Sequence, residues 1–245
     1  MGRGPSIEGR KNVEDAKRAK VFTKLIREIT VAARGGADPA GNPRLRLAMD
    51  KALTANMPKD TVERAVRRGS GADGGEQTHE IRYEGYGPGG VAIMIDCVTD
   101  NPTRTVADVR LAFTKNGGNL GTSGSVAFQF KRIGEIMIET RGDVAIEDKI
   151  LDLALSAGAD DVQSESGRCT VIATPEQFEG VRQALIGAGL QPADAHIIMH
   201  PLNRVAVSGA TAEALVKLLE RFEELDDVQH VHHAAELPKD LLQPA

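Results

Sequence analysis

The chain has 245 residues, 41% of them hydrophobic and 27% charged, the composition of a soluble globular protein large enough for two or three domains. No apolar run approaches the roughly 18 residues that a membrane-spanning helix needs, and the polar, basic N-terminus has no apolar signal segment, so we expect a cytoplasmic protein without a membrane partner. The two cysteines, Cys97 and Cys169, lie far apart in apolar contexts and predict buried free thiols.

Charge is distributed unevenly along the chain. Residues 1–72 contain 16 Lys or Arg and 8 Asp or Glu, a net charge of +8, whereas the remaining 173 residues contain 14 and 27, a net charge of −13. A basic segment joined to an acidic one is typical of a protein that contacts nucleic acid with one end. Aromatic residues make up only 3% of the chain, which argues against recognition of bases by stacking on an aromatic sheet.

The N-terminal part predicts three helices behind a flexible tail, residues 1–12, that is rich in Gly and Arg. Residues 13–34 have helical periodicity. The apolar face of this first helix consists of Phe22, Leu25, Ile26 and Ile29. Asn42 and Pro43 predict the start of a second helix, and Pro58 that of a third, which ends before Gly69. The second helix is expected to direct inward Leu45, Leu47, Ala48 and Leu53.

Beyond a Gly-rich linker at residues 70–78, strands and helices alternate. The predicted strands are 80–86, 90–98, 124–130, 132–140, 159–164, 169–174, 193–199, 203–208 and 227–233; the predicted helices are 103–116, 144–157, 175–188 and 211–224. The middle of the series reads β-α-β-β-α-β, the ferredoxin-like order, and the flanking pieces together would form a second such domain.

We therefore predict an α+β protein of three domains. The first is an all-α head of three helices with its tail and linker, residues 1–78. The second is a split ferredoxin-like domain, residues 79–130 with 201–245, and the third is a ferredoxin-like domain inserted into it, residues 131–200.

A cationic stripe on the first helix is the clearest candidate site, and the tail and the third helix add further cations. The candidate nucleic-acid-binding residues are Arg3, Arg10, Lys11, Lys17, Lys20, Lys24, Arg27, Lys59, Arg64, Arg67 and Arg68. The alternative for the stripe is an ordinary solvated face, and for the third helix a complement to the helix dipole. Near the C-terminus, carboxylates predict a solvated acidic surface that would repel nucleic acid: Glu220, Glu223, Glu224, Asp226 and Asp227.

Other motifs give weaker evidence for a functional site. Residues 85–90, GYGPGG, predict a hairpin turn with Tyr83 and Tyr86 beside it, which could form a contact loop. Residues 117–125, GGNLGTSGS, follow a helix and precede a strand, so a glycine helix cap and turn are favoured over a phosphate-binding loop. Of His230, His232 and His233, only the first two would share one face of a strand, and no third ligand accompanies them, so no metal site is predicted. No enzyme motif occurs, so we expect neither catalysis, a cofactor nor a small-molecule substrate.

Several segments resemble the YebC/PmpR family along essentially the whole chain. They are FTKLIREITVAAR (22–34), NPRLRLAMDKALTANMPKDTVERAVRRG (42–69), IRYEGYGPGG (81–90), TDN (99–101) with RTVADVR (104–110), GGNLGTSGSVAFQF (117–130) and LDDVQHV (225–231). The resemblance implies three domains, a cytoplasmic location and control of gene expression. Many members begin with Gly-His-Ser-Lys-Trp, whereas this chain has Gly-Arg-Gly-Pro-Ser at residues 2–6, so a contact made by that His or Trp does not carry over.

Three functions follow. The first is a DNA-binding transcriptional regulator that holds duplex phosphates with its basic head and uses its acidic domains for partner contacts or for response to a signal, with the transcription machinery as a candidate partner. The alternative is a ribosome-associated translation factor that docks the same head on ribosomal RNA, and the third is a protein-interaction scaffold. The third helix offers only Lys59, Arg64 and Arg67 to read bases, which favours recognition of the phosphate backbone.

Overall fold

The structure is a computed structural model that describes residues 7–72, 78–238 and 241, with side chains from residue 16 onward. Its helices are α1 (Ile7–Ala32), α2 (Pro43–Thr54), α3 (Lys59–Gly69), α4 (Pro102–Lys115), α5 (Val144–Ser156), α6 (Phe178–Gly187) and α7 (Gly209–Glu224). Its strands are β1 (His79–Gly87), β2 (Val91–Thr99), β3 (Asn119–Leu120), β4 (Phe130–Glu139), β5 (Asp161–Glu165), β6 (Arg168–Ala173), β7 (Asp194–Pro201), β8 (Val205–Ala206), β9 (Val228–His233) and β10 (Ala235–Glu236). None of these helices is long and apolar enough to cross a membrane.

The chain divides into two compact units, and the predicted α+β class is confirmed in both. Unit 1 comprises residues 1–125, 207–231 and 237–245, and unit 2 comprises residues 126–206 and 232–236. Unit 1 holds the three N-terminal helices and one antiparallel sheet, and unit 2 holds the other. The predicted domain boundary near residue 78 implies that the three N-terminal helices fold separately, and this stays a prediction.

Helices α1–α3 pack through small side chains. Their buried cluster is Ile29, Ala32, Ala33, Leu45, Ala48, Ala52, Met57, Val62 and Ala65. Asn42 caps α2 as predicted, because its Oδ1 accepts a hydrogen bond from the Leu45 N–H at 3.1 Å. Its Nδ2 donates to the carbonyl of Ala32, which fastens the start of α2 to the end of α1. Leu53 is 43% exposed and Ala52 takes its inward place, so the inward position predicted for Leu53 was wrong.

The first helix begins earlier than predicted. It starts at Ile7 rather than near residue 13, because Glu8, Arg10 and Lys11 have high helix propensity and only Gly9 opposes it. Residues 1–6 of the predicted tail lie outside the described residues.

Gly69 permits the close approach of α3 to α1. A Cβ at this position would overlap the Thr30 carbonyl oxygen and lie 2.8 Å from the Ala33 Cβ. We expect Gly69→Ala to lower the free energy of unfolding of the N-terminal helices by about 1–3 kcal/mol, since the helices must move apart. Denaturant unfolding of the full chain measures the effect. Gly41→Ala is the matched control because its added Cβ meets no atom within 4 Å; equal stability of the two variants would contradict the packing argument.

The sheet of unit 1 has the strand order β3-β1-β2-β9. Strands β1 and β2 form the predicted hairpin, paired from His79 opposite Thr99 to Gly87 opposite Val91. Its turn contains Gly89 and Gly90, both with positive φ. Helices α4 and α7 meet through Phe113 and Phe222, whose ring centroids are 4.9 Å apart. Strands from two separated parts of the chain thus form one sheet. The strand predicted at residues 203–208 does not join it, because only Val205–Ala206 are extended there, as β8, and they pair with β10. The chain order of this sheet and its helices, β-β-α-β-α-β, therefore differs from the ferredoxin-like order predicted for it.

The strand predicted at residues 124–130 is wrong. Val126, Phe128 and Phe130 alternate as in a strand, but Ala127–Gln129 form a 3-10 turn and only the last residue enters a strand, β4. The strand that pairs with β1 is the two-residue β3, which lies inside the Gly-rich segment and places Leu120 opposite Gly85. The glycine cap predicted for this segment is confirmed, because Gly117 follows α4 with a φ of 75°.

The sheet of unit 2 has the order β5-β6-β4-β7 with every neighbouring pair antiparallel. Helices α5 and α6 connect its strands, so the predicted β-α-β-β-α-β order is confirmed. Gly134 on β4 leaves room for the ring of Phe178. Beside this sheet, β8 and β10 form a short parallel pair with Val205 opposite Ala235.

Candidate nucleic-acid interface

The predicted cationic stripe on α1 is divided into two halves. In the C-terminal half, Lys24 Nζ lies 2.9 Å from Glu223 Oε2 at the end of α7. Arg27 donates to the backbone carbonyl of Asp226 and approaches Asp227 Oδ1 to 3.1 Å. These two cations therefore bind α1 to the acidic end of α7 within unit 1, which corrects their prediction as part of a free basic face.

Asp227 is the centre of this contact and is 6% exposed. Its Oδ2 accepts hydrogen bonds from Arg104 at 2.9 Å, Thr105 at 2.8 Å and Thr99 at 3.1 Å. Burial tends to raise the pKa of Asp227, but the hydrogen bonds from Arg104 and Thr105 and the charge of Arg27 outweigh it, so its pKa is lowered. Asp227 is thus ionised and paired, and its prediction as part of a solvated acidic surface was wrong.

The N-terminal half of the stripe is accessible to solvent, with Lys17 exposed and Lys20 partly buried. Lys17 and Lys20 have no carboxylate partner among the described side chains. Arg18, which is not among the predicted site residues, lies over the ring of Phe22, with its guanidinium carbon 5.2 Å from the ring centroid. The spacing of Arg18 and Phe22 by four residues in a helix could have indicated this contact. Of the other cations predicted on this side, Arg3 lies outside the described residues, and Arg10 and Lys11 lie in α1 before the first described side chain.

Helix α3 presents a second set of cations. Lys59, Arg67 and Arg68 are exposed and pair with no described carboxylate, whereas Arg64 lies 3.3 Å from Asp60 one turn away. Arg68 lines a cavity of about 320 Å³ together with Arg27 and Thr23, so it lies beside the α1 stripe. Among the described side chains of α1 and α3, the cations without an ion-pair partner are Lys17, Arg18, Lys20, Lys59, Arg67 and Arg68.

The two tyrosines do not form one contact loop. Tyr83 and Tyr86 both lie on β1, opposite Ile95 and Ala92, and their separation by three residues places them on opposite faces of the sheet. The Tyr86 hydroxyl donates to the Ser125 carbonyl at 3.1 Å and so fastens the Gly-rich segment to the sheet. Burial raises the pKa of Tyr83.

The cysteines and the metal-binding residue types give no evidence for a reactive or metal site among the described residues. Cys97 and Cys169 are buried free thiols, as predicted. Burial raises the pKa of Cys97 to about 12, so it stays protonated and is a poor nucleophile. In the described parts of the chain, no group of three or more His, Cys, Asp or Glu side chains could hold a metal ion.

Comparison with known proteins identifies relatives along nearly the full length. Residues 4–72 match the family model described as TACO1/YebC protein N-terminal domain, and residues 78–235 match TACO1/YebC second and third domain. A probable transcriptional regulatory protein of Xanthomonas oryzae is 57% identical over 95% of this chain and 96% of its own. One of Stenotrophomonas maltophilia is 53% identical over 98% and 99%. A conserved hypothetical protein from Aquifex aeolicus has a similar crystal structure, with a TM-score of 0.85, 44% identity and coverage of 94% and 95%.

Proposed function

Because the chain belongs to the TACO1/YebC family, whose relatives above are named probable transcriptional regulatory proteins, we propose that it regulates gene expression by binding duplex DNA through the unpaired cations of α1 and α3. The observation that supports this proposal is the separation of the cations into two sets. Lys24 and Arg27 are neutralised inside unit 1, whereas the six cations named above form no ion pair with any carboxylate that the structure describes. Such cations can bind phosphate groups, and contacts with phosphates position a protein on nucleic acid.

The ribosome is the second candidate partner, and one feature of α3 favours it. Arg64, in the middle of this 11-residue helix, is paired with Asp60, so the unpaired cations lie at the two ends of the helix. Sequence-specific readout in the major groove uses three or four side chains on one helix face. Recognition of the backbone suits ribosomal RNA as well as duplex DNA.

We expect Lys17→Glu/Lys20→Glu to weaken binding to a duplex of unrelated sequence about 10- to 100-fold at 0.1 M salt, because two phosphate contacts are lost. Fluorescence anisotropy on several duplexes measures this, and the loss should be uniform across sequences. Lys115→Glu/Lys217→Glu is the matched control, since both lysines are exposed on helices of unit 1 away from the stripe. Equal losses in the two variants would attribute the effect to net charge and contradict the proposed interface. Lys24 and Arg27 are left intact because reversing them would also break their contacts with α7.

The choice between the two partners needs two assays on the same protein. In a gel shift on one promoter with unrelated competitor DNA, binding that resists the competitor supports the transcriptional regulator. In co-sedimentation from lysate, association with ribosomes that resists moderate salt, together with competitor-sensitive DNA binding, would replace duplex DNA by ribosomal RNA as the ligand.

A further inference from the structure

Phe128 of unit 2 is 71% exposed, the largest exposure among the large hydrophobic side chains that the structure describes. It lies in the 3-10 turn that leads into β4. The carbonyl of the next residue, Gln129, accepts a hydrogen bond from the Leu202 N–H at 2.9 Å, so the end of β7 lies against this turn. Leu202 is itself 56% exposed. Two apolar side chains therefore meet the solvent where β4 begins and β7 ends.

Cations follow both apolar side chains along the chain. Lys131 and Arg132 follow on β4, opposite His200 and Met199 of β7, and both are exposed. Arg204 follows Leu202 by two residues, and its guanidinium donates a hydrogen bond to the Ala235 carbonyl at 3.2 Å. Burial and, after it, the charge of Arg204 lower the pKa of His200, which is consistent with Arg204 lying near this end of β7. We call Phe128, Lys131, Arg132, Leu202 and Arg204 the Phe128 patch.

The patch differs in charge from the rest of its unit. Unit 2 contains 13 Asp or Glu and 7 Lys or Arg, yet neither residues 126–134 nor residues 195–206 include a carboxylate. Two other cations of unit 2 form ion pairs: Arg182 lies 3.0 Å from Glu179, and Arg168 lies 4.0 Å from Glu139. Within the described residues, Lys131 and Arg132 have no such partner. An exposed apolar side chain alone is ordinary, but an exposed ring beside unpaired cations matches a ligand that has flat apolar faces and negative charges.

We propose that the Phe128 patch binds single-stranded nucleic acid, with one base stacked on Phe128 and the adjoining phosphates held by cations of the patch. In a duplex the faces of the bases are covered by their neighbours, so only an unpaired base can reach this ring. The proposal rests on the proposed function in that the ligand is nucleic acid, but it adds a second site, in unit 2, that distinguishes single strands from duplexes.

The test is anisotropy of the full chain with an oligouridylate and an oligothymidylate of about 20 nucleotides, a length above the usual site size, and with a duplex of equal length. We expect Phe128→Ala to weaken binding of the single strands about tenfold, the cost of losing one stacked base, and to leave duplex binding unchanged. Phe128→Tyr keeps the ring and should bind like the parent. Val144→Ala, at another exposed apolar side chain of unit 2, is the matched control and should have no effect.

Several outcomes would overturn the inference. If Phe128→Ala binds single strands like the parent, or loses single-strand and duplex affinity equally, base stacking on Phe128 is wrong. If the variant changes only the sedimentation coefficient, the patch joins copies of the chain and does not bind nucleic acid. If the parent protein binds duplexes and Lys17→Glu/Lys20→Glu lowers that affinity, the proposed function stands even when the Phe128 inference fails. If the parent protein binds no nucleic acid at all, both the proposed function and the Phe128 inference are wrong.

Discussion

Replacing Asp227 by alanine is expected to lower the free energy of unfolding of unit 1 by about 3 kcal/mol, near the lower end of the range for breaking a buried ion pair. The carboxylate is 6% exposed and accepts hydrogen bonds from Arg104, Thr99 and Thr105. Its removal takes one acceptor from the Thr99 and Thr105 hydroxyls and from both guanidiniums, although Thr105 can still donate to the Asn101 carbonyl and Arg27 to that of Asp226. The loss is moderated because the side chains of Arg27 and Arg104 are 24% and 47% exposed, so water can solvate them.

Asp226→Ala is the control for this experiment. Asp226 is exposed, and its contact with Arg27 is made by its backbone carbonyl, which the substitution retains. Denaturant unfolding at neutral pH should therefore separate two variants of equal charge at adjacent positions. Equal stabilities would contradict the assignment of Asp227 as the centre of the contact.

The same residue predicts a dependence on pH. Because the pKa of Asp227 is lower in the folded state than in the unfolded chain, its contribution is present at pH values above the unfolded pKa and is lost as the pH falls through the folded one. The difference in stability between the parent and Asp227→Ala should therefore shrink on acidification. A difference that grew as the pH fell would contradict the sign of the shift.

Nucleic-acid affinity is expected to fall about 10³-fold between about 50 and 200 mM salt, if the six unpaired cations of α1 and α3 each meet one phosphate. Each phosphate contact releases counterions on binding, so the affinity depends steeply on salt. A titration of a duplex by anisotropy at several salt concentrations gives the slope. Lys17→Glu/Lys20→Glu should reduce that slope by about two contacts, and Lys115→Glu/Lys217→Glu should leave it unchanged. A flat response in the parent would mean that phosphate contacts do not supply the affinity.

Elements with strong local signals were predictable from the sequence. Asn42 and Pro43 specify the start of α2 through a side-chain cap and a proline at the first helical position, and both act locally. The hairpin of β1 and β2 followed from the glycines of its turn, two of which adopt positive φ. The ferredoxin-like order followed from the alternation of periods along residues 131–200.

Errors arose where the outcome depends on distant residues. Lys24 and Glu223 are 199 positions apart, and no periodicity shows that a stripe on one helix faces the end of another. Asp227 resembles its exposed neighbour Asp226 in sequence, and only the fold separates a buried acceptor from a solvated side chain. Phe128 continues the alternation of Val126 and Phe130, yet the 3-10 turn directs its ring to solvent. Local patterns therefore located the cations but did not indicate which of them are neutralised by carboxylates.

Most of unit 2 is inserted between the two main segments of unit 1. During synthesis on the ribosome the unit 1 sheet is therefore begun first but completed last, after the sheet of unit 2. All four strands β4–β7 of unit 2 are synthesised before α7 and β9, the outer strand of the unit 1 sheet. Asp227, which precedes β9, joins Arg27 only at that stage. Until then β2 keeps an unpaired edge, the kind of strand edge that invites association with other chains during biosynthesis.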